Sequence, residues 1–284
     1  MSVSRGAAKG ARLPVSFHMT FQPERHYLSA LLKDAQSMEV GSVKEISERT
    51  GIPTGKSSGK VKPLVQYAQG MGLLEVEALR GAGKIRMTLT SLGRVILRKD
   101  PHLLEESTQW ALHLMLCRRE GGAEVWYAVF VVAAASLGHT FSSEQFERFL
   151  LNRYGATQNA PGPLLRTYSD PAALGKVGAI VESQEKILLR KAPMQPALYD
   201  VVAALMFLLW DSTVGDEVQI ALNDLEARTG LITATGWSLV NQSNFLSAIE
   251  CARLVQVDRQ TGAPILTRLA STDHVLQVMY DRLV

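Results

Sequence analysis

The sequence predicts a mainly α-helical protein of the α+β class, and three observations lead to this prediction. Apolar residues recur at helical spacing through much of the 284 residues,. Three pairs of short strand-like runs are each joined by a turn. The order helix, turn, helix, hairpin occurs near both ends of the chain. The predicted domains are residues 13–99, a helical domain with a small hairpin over 100–210, and a third segment over 211–284.

The stretch from Ser42 to Thr90 carries the clearest pattern. Ser42 is a suitable N-cap for a helix, and Gly51 is a suitable residue to end it,. The predicted elements are helices over 43–50 and about 60–70 and strands over 73–79 and 84–90,. This order predicts a winged helix, which binds DNA by placing its second helix in the major groove.

Basic and hydroxyl side chains cluster on this domain. They are Lys56, Ser57, Ser58, Lys60, Lys62, Arg80, Lys84 and Arg86. Residues 1–99 hold 16 Lys and Arg against 7 Asp and Glu, and the remainder holds 14 against 20, an asymmetry hidden by the formal net charge of +3,. Such side chains neutralise phosphates, so we predict binding to double-stranded DNA. The alternative is a solvated face on a dimerisation or protein-docking module.

Several other classes of protein are disfavoured. The run from Gly51 to Ser57 is similar to a phosphate-binding P-loop, but that motif has four residues between its glycines and follows a buried strand. This run has three residues there and follows a polar helix, so no nucleotide is expected. The apolar runs Val125–Leu137 and Val201–Trp210 are too short to span a membrane,. The N-terminus has no signal-peptide core, which predicts a cytoplasmic protein. Cys117 and Cys251 are predicted to be reduced core residues,.

The middle of the chain contains helical patterns separated by a long polar stretch. Ser142 and Gln145 form a capping-box pattern at the start of one helix,. The segment 155–170 is rich in Gly, Pro, Asn and Ser and is predicted to be a surface loop whose end is anchored by Tyr168 and by a helix that begins at Pro171,.

The last third repeats the order of the first without its lysines. Helices are predicted over 222–229 and 241–253, a hairpin over 254–268, and a closing helix from 271. The second helix offers Gln242, Ser243, Asn244 and Glu250. This winged-helix-like segment is therefore predicted to be a scaffold or a dimerisation element, so a homodimer is one expected assembly.

Three short motifs resemble one bacterial family. They are His18-Met19-Thr20-Phe21, Asp100-Pro101 followed by Trp110 and His113, and Trp126-Tyr127 with Phe130. They resemble the family that accompanies DNA phosphorothioation genes and includes the DNA nickase SspB. The resemblance implies DNA nicking in a modification and phage-defence system, with a cysteine desulfurase and an ATP-using sulfur-transfer enzyme as partners. Family members often have an acidic residue and an Asn where this chain has Met19 and Val131.

Phosphodiester hydrolysis usually requires carboxylates that hold Mg²⁺ or another divalent metal, or a histidine that activates water. The candidate catalytic residues are His18, Glu24, Asp100, Glu105 and His113. Each also has an ordinary explanation as a core histidine, a first-turn helix residue or a turn residue. No set of metal ligands is predicted. The alternative function is that of a non-enzymatic regulator or adaptor that recruits partners to DNA.

Changing Lys56, Lys60 and Lys62 together to Ala should weaken DNA binding uniformly across DNA sequences. Each lost phosphate contact should reduce the slope of log K against log salt by about one. Titrations at several salt concentrations measure this slope, and an unchanged slope would contradict the assignment.

Overall fold

The computed structural model describes residues 10–55, 59–79, 83–155, 161–260 and 262–281. They form a mixed α+β structure that is mainly helical. The helices are α1 (Arg25–Asp34), α2 (Val43–Thr50), α3 (Val61–Gly70), α4 (Ser91–Lys99), α5 (Glu106–Cys117), α6 (Glu124–Tyr127), α7 (Ala134–Leu137), α8 (Ser143–Tyr154), α9 (Pro161–Ser169), α10 (Pro196–Val214), α11 (Leu222–Thr229), α12 (Leu231–Thr235), α13 (Leu239–Cys251) and α14 (Thr272–Val278). A π-helical segment, Ala128–Ala133, joins α6 to α7.

The strands are β1 (Val40–Ser42), β2 (Leu74–Leu79), β3 (Lys84–Leu89), β4 (Thr140–Ser142), β5 (Ile180–Ser183), β6 (Lys186–Leu189), β7 (Gln219–Ala221), β8 (Val255–Asp258) and β9 (Ile265–Arg268). In the described part of the chain they form three antiparallel sheets with the same topology, ordered β1-β3-β2, β4-β6-β5 and β7-β9-β8. In each sheet a short strand leads into a helix, and a later helix leads into a hairpin. The middle of the chain therefore contains a three-stranded sheet, where the sequence predicted only a hairpin.

The local signals that start and end helices were predicted correctly. Ser42 caps α2 in a capping box with Glu45, and Ser142 caps α8 in a capping box with Gln145,. Gly51 ends α2 in the left-handed conformation, with φ of 70°,. The first helix begins at Arg25, one residue after Glu24, so Glu24 is its N-cap residue and not part of its first turn.

The predicted loop over 155–170 is wrong for its described part, because residues 161–169 form helix α9. Pro161, Gly162 and Pro163 resemble a turn, but proline is tolerated in the first turn of a helix. Burial of Leu164 and Tyr168 stabilises the rest of α9,. The predicted anchoring role of Tyr168 is confirmed by this burial, but the helix predicted from Pro171 is wrong, because residues 171–177 form turns.

Helix α9 is the counterpart of α3 in the repeated topology. Pro63-Leu64 and Pro163-Leu164 occupy the same positions within the two helices, and all four residues are buried. Both helices contact Trp126 of α6: the Tyr67 ring centroid lies 5.8 Å from that of Trp126, and Trp126 Nε1 donates to the Tyr168 hydroxyl at 2.9 Å. We call residues 25–99, 140–189 and 219–281, which carry the repeated topology, the first, second and third modules. The first two modules therefore approach each other, through equivalent helices, around Trp126.

Helix α10 is the one described helix that is long and apolar enough to cross a membrane. It runs four residues beyond the predicted end at Trp210 and contacts α5, α13 and α14. More than half of its most apolar stretch is buried inside the fold. This packing is typical of a core helix. Cys117 is buried as predicted, whereas Cys251 is exposed, so the prediction for Cys251 was wrong.

Gly93→Ala should destabilise the fold. A Cβ atom at this position in α4 would lie 2.1 Å from the backbone oxygen of Leu73, so the helix must shift. We expect a loss of about 2 kcal/mol or more in the free energy of unfolding, measured with urea. The control is Gly162→Ala in α9, whose Cβ would have one neighbour at 3.8 Å. The control should stay within about 1 kcal/mol of the wild type, and an equal loss in both variants would contradict the packing argument.

Candidate nucleic-acid interface and catalytic residues

Most of the predicted DNA-binding residues that the structure describes are held in ion pairs. Lys60 pairs with Glu24 at 2.9 Å, Lys84 with Glu45 at 3.0 Å and Arg86 with Glu77 at 2.9 Å. Lys62 is exposed and has no ion pair with any described residue. Lys56, Ser57, Ser58 and Arg80 lie outside the described residues. The free positive charge of the described interface is therefore smaller than the sequence suggests.

Helix α3 is enclosed on two sides, which limits the surface that it could offer to DNA. One side packs within the first module, and the other faces α5 and α6. On the second side, the rings of Tyr67 and Trp126 are 5.8 Å apart, and the Arg118 guanidinium donates to the Gly70 carbonyl. The solvent side of α3 is the strip formed by Lys62, Gln66 and Gln69, spaced along one helix face,. These three side chains form only part of the surface that a recognition helix presents to the major groove.

His18 is buried, with 1% of its surface exposed. Its Nδ1 lies 2.9 Å from the carbonyl oxygen of Met19, so Nδ1 carries the proton and donates,. Its Nε2 is buried without a hydrogen-bond partner among the described residues. Burial lowers the pKa of His18, and the charge of Arg166 lowers it further against the opposing effect of the backbone hydrogen bond. The result is a neutral imidazole with a free acceptor nitrogen.

The backbone beside His18 is strained. Met19 has φ of 54°, in the left-handed region that a methionine rarely adopts,. Strain of this kind is often found at functional sites, and here it places the Met19 carbonyl where it holds the His18 ring,.

His113 lies in a buried hydrogen-bond chain. The Tyr168 hydroxyl accepts from Trp126 Nε1 at 2.9 Å and donates to His113 Nδ1 at 2.6 Å. His113 Nε2 and Cys117 Sγ are 3.9 Å apart. Burial lowers the pKa of His113 to about 3 and raises the pKa of Cys117, so both groups are neutral at pH 7. This arrangement joins α5, α6 and α9.

Asp100 and Glu105 lie where the chain enters α5. The Asp100 carboxylate accepts from the backbone N–H groups of Leu104 and Glu105, both at 2.9 Å. Asp100 therefore shapes the turn before the helix. Glu105 is the N-cap residue of α5, but its side chain makes no capping hydrogen bond and is exposed to solvent.

The structure brings the three sequence motifs together in one aromatic cluster. The ring centroids of His18 and Trp126 are 6.2 Å apart, and His113 lies 5.3 Å from Trp110 and 4.6 Å from Phe130. Tyr168 at the centre of the cluster was predicted only as an anchor, because nothing in the sequence links position 168 to 113 and 126. The candidate carboxylates are not members of this aromatic cluster; Glu24, for example, is paired with Lys60.

No group of three or more His, Cys, Asp and Glu side chains within the described residues is arranged to hold a metal ion. A metal cage made only of protein ligands is therefore absent from that part of the chain. A hydrated Mg²⁺ that shares one or two carboxylates with a phosphate does not require such a cage.

Comparison with solved structures identifies the fold. A magnesium ion-bound SspB crystal structure matches 96% of this chain and 88% of its own chain, with a TM-score of 0.72 and 16% sequence identity. The chain has the SspB fold. A second SspB crystal structure matches 97% of this chain and 89% of its own, with a TM-score of 0.69 and 15% identity. No protein-family model matches the chain, and no curated protein matches it.

The buried histidines of this SspB-like fold should make its stability depend on pH. The pKa of His113 is about 3 in the folded state against 6.5 when it is free, so between these values the unfolded state binds the additional proton. Stability should therefore be fully present above about pH 6.5 and fall as the pH drops, by up to about 1.4 kcal/mol per pH unit for each buried histidine.

Urea unfolding at a series of pH values measures this slope. His113→Gln removes one titrating group and should make the slope shallower. His274→Gln, at an exposed position, should leave it unchanged. Equal slopes for His113→Gln and the wild type would contradict the assignment.

Proposed function

We propose that the protein binds double-stranded DNA and nicks it as part of a phosphorothioation-based modification and phage-defence system. The observation that carries this proposal is the fold shared with SspB over nearly the whole chain. The motifs that resemble the phosphorothioation-linked family support it, because they meet in one cluster at the centre of that fold. A cysteine desulfurase and an ATP-using sulfur-transfer enzyme are the partners that this function requires.

We propose that each of the three modules with the repeated sheet is a winged helix, and that the first one grips DNA. The excess of basic residues in the first third supports this assignment. Since α3 exposes only a narrow strip, the contacts would be made mainly to phosphates by Lys62 and by the β2–β3 hairpin,. Lys84 and Arg86 can exchange their exposed carboxylate partners for phosphates, because surface ion pairs are weak,. Binding of this kind depends strongly on salt and weakly on DNA sequence.

We propose His18 as the catalytic base. A base needs a neutral nitrogen with a free lone pair at pH 7, and His18 Nε2 fits this requirement,. Met19 holds the ring through Nδ1, so the tautomer is set before any substrate binds. Because the ring is buried, a small movement of the strained segment around Met19 is needed to admit a water molecule.

A divalent metal is the cofactor that this chemistry favours, as expected from a fold whose crystal structure is described as magnesium ion-bound. The metal would supply positive charge to the phosphate in the transition state. Glu24 and Glu105 remain the candidate carboxylates. Glu105 is exposed and has no ion pair with a described residue, whereas Glu24 would first have to release Lys60.

Purified protein should convert supercoiled plasmid to open circles with Mg²⁺ or Mn²⁺ and not with EDTA. His18→Asn keeps an amide donor for the Met19 carbonyl but lacks Nε2, so it should lower the nicking rate by about 100-fold or more. DNA affinity should stay within a few fold. The matched control is His274→Asn, at an exposed position, which should nick at the wild-type rate.

Normal nicking by His18→Asn would remove His18 from the mechanism. If wild-type protein leaves plasmid intact with every metal, the nickase proposal fails. The adaptor function is then the better account, and one observation favours it already: Asp100 and His113 are bound into structural hydrogen bonds.

A further inference from the structure

Helix α13 turns an uncharged face to solvent. Leu239 and Val240 at its start are 82% and 68% exposed, and the helix contains no lysine or arginine. Further exposed positions recur at intervals of three or four residues, which places them along one side of the helix. We call this side the α13 face, and it is formed by Val240, Ser243, Asn244, Ser247 and Cys251. We infer that a second copy of the chain docks on the α13 face, with the two α13 helices antiparallel.

The third module can be aligned with the first by the hydrogen bond that joins the helix to its hairpin. In the first module, the Leu73 N–H donates to the Ala68 carbonyl at 2.9 Å. In the third module, the Leu254 N–H donates to the Ile249 carbonyl at 3.0 Å. Each bond lies directly before the first strand of its hairpin. Position 249 of α13 therefore corresponds to position 68 of α3.

The equivalent of the α13 face is covered in the other modules. By the same alignment, Asn244 corresponds to Pro63 and Cys251 corresponds to Gly70. Both residues of α3 are buried, whereas both residues of α13 are exposed. The equivalent proline of α9, Pro163, is buried as well. Of the three equivalent helices, α13 is therefore the one whose face is left uncovered by the described residues.

The composition of the α13 face determines which partner fits it. DNA requires cations opposite its phosphates, and α13 supplies none,. A second copy presents the same uncharged face, so docking leaves no charge on either copy without a partner. Small side chains allow the two helices to approach closely, and an antiparallel pair places the helix dipoles in opposite directions. This inference is independent of nicking.

The residues of the α13 face match themselves in an antiparallel pair. In a two-fold dimer, a residue near the start of one helix meets a residue near the end of the other. A centre between positions 245 and 246 places Val240 against Cys251 and Asn244 against Ser247 of the second copy. All four lie on one side of the helix, with the alternating three- and four-residue spacing of packed helices. The exposed Val240 side chain is then covered by the partner helix.

The α13 face has the size of a weak interface. The helix has 13 residues and is about 20 Å long,. A stable interface usually buries about 1,200 Å² or more, and one pair of helices of this length is smaller. A depression of about 120 Å³ between α10 and α13 borders the face at Ala248 and gives a side chain of the second copy room to enter. We therefore expect a dissociation constant of about 1–100 µM.

Sedimentation equilibrium from about 1 µM to about 500 µM protein measures this dimer. The wild type should pass from monomer to dimer in that range. Ser247→Glu places two carboxylates beside the two-fold axis and should raise the dissociation constant about tenfold or more. The control is Ser183→Glu, at an exposed position on β5, which should dimerise as the wild type does. A wild type that stays monomeric at the highest concentration would overturn the inference, and so would equal losses in the two variants.

Disulfide cross-linking tests the antiparallel register. Val240→Cys places a thiol opposite Cys251 of the second copy, so mild oxidation should give a covalent dimer on a non-reducing gel. In the wild type the two Cys251 residues would lie about 16 Å apart along the helices, which is too far for a disulfide. The same distance applies to Val240→Cys combined with Cys251→Ser. These two proteins should stay monomeric on the gel, since Cys117 is buried.

Both substituted positions are exposed, and thermal unfolding shows whether each variant keeps its fold. Absence of cross-linking in Val240→Cys would overturn the proposed register. Equal cross-linking in all three proteins would overturn it as well, because random collision of exposed thiols would then explain the covalent dimer.

Discussion

Helix α5 is enclosed along its length, and the rest of the fold depends on satisfying its polar groups. Every residue from Ser107 to Cys117 is buried. A buried polar group without a hydrogen bond costs about 1–3 kcal/mol, so polar side chains on this helix need partners inside the protein. Three of them bond to distant parts of the chain: Gln109 to Lys176, His113 to Tyr168 and Thr108 to Tyr280. These bonds connect the middle helix to the second module and to the end of the third.

The enclosure of α5 also decides which helix faces of the three modules remain exposed. Because α3 and α9 pack towards α5 and α6, their counterpart α13 is the one of the three that exposes a broad face, including Leu239 and Val240 at 82% and 68% exposure. That face carries no lysine or arginine. The basic residues are concentrated in the first third of the chain, whereas the broad exposed face belongs to α13 in the last third, so the two are different surfaces.

The two groups of candidate catalytic residues differ in what they can do chemically. His113 and Asp100 have their hydrogen bonds satisfied within the fold, and their clearest effect is on stability. His18, in contrast, has a buried nitrogen without a hydrogen-bond partner among the described residues. A buried polar group without a partner is costly, so this nitrogen is a physical sign of a ligand. The motifs that resemble the phosphorothioation-linked family contain groups of both kinds.

The sequence by itself determined the elements that depend on neighbouring residues. The capping boxes at Ser42 and Ser142 and the left-handed Gly51 were predictable because each interaction spans only a few positions. Helices and hairpins that depend on such local signals were therefore placed within a few residues of their true ends, whereas α9 and α12 were not predicted as helices. The mixed α+β class and the likeness to SspB followed from the same local patterns and short motifs.

Only the tertiary structure decided the three-residue edge strands, the helix over 161–169 and the pairing of Lys60 with Glu24. An edge strand of three residues is too short to show alternation, and it forms only when a hairpin offers its free edge. The ion pair joins residues that are 36 positions apart. Contacts of this kind leave no periodic signal in a single sequence, because they depend on how the helices pack.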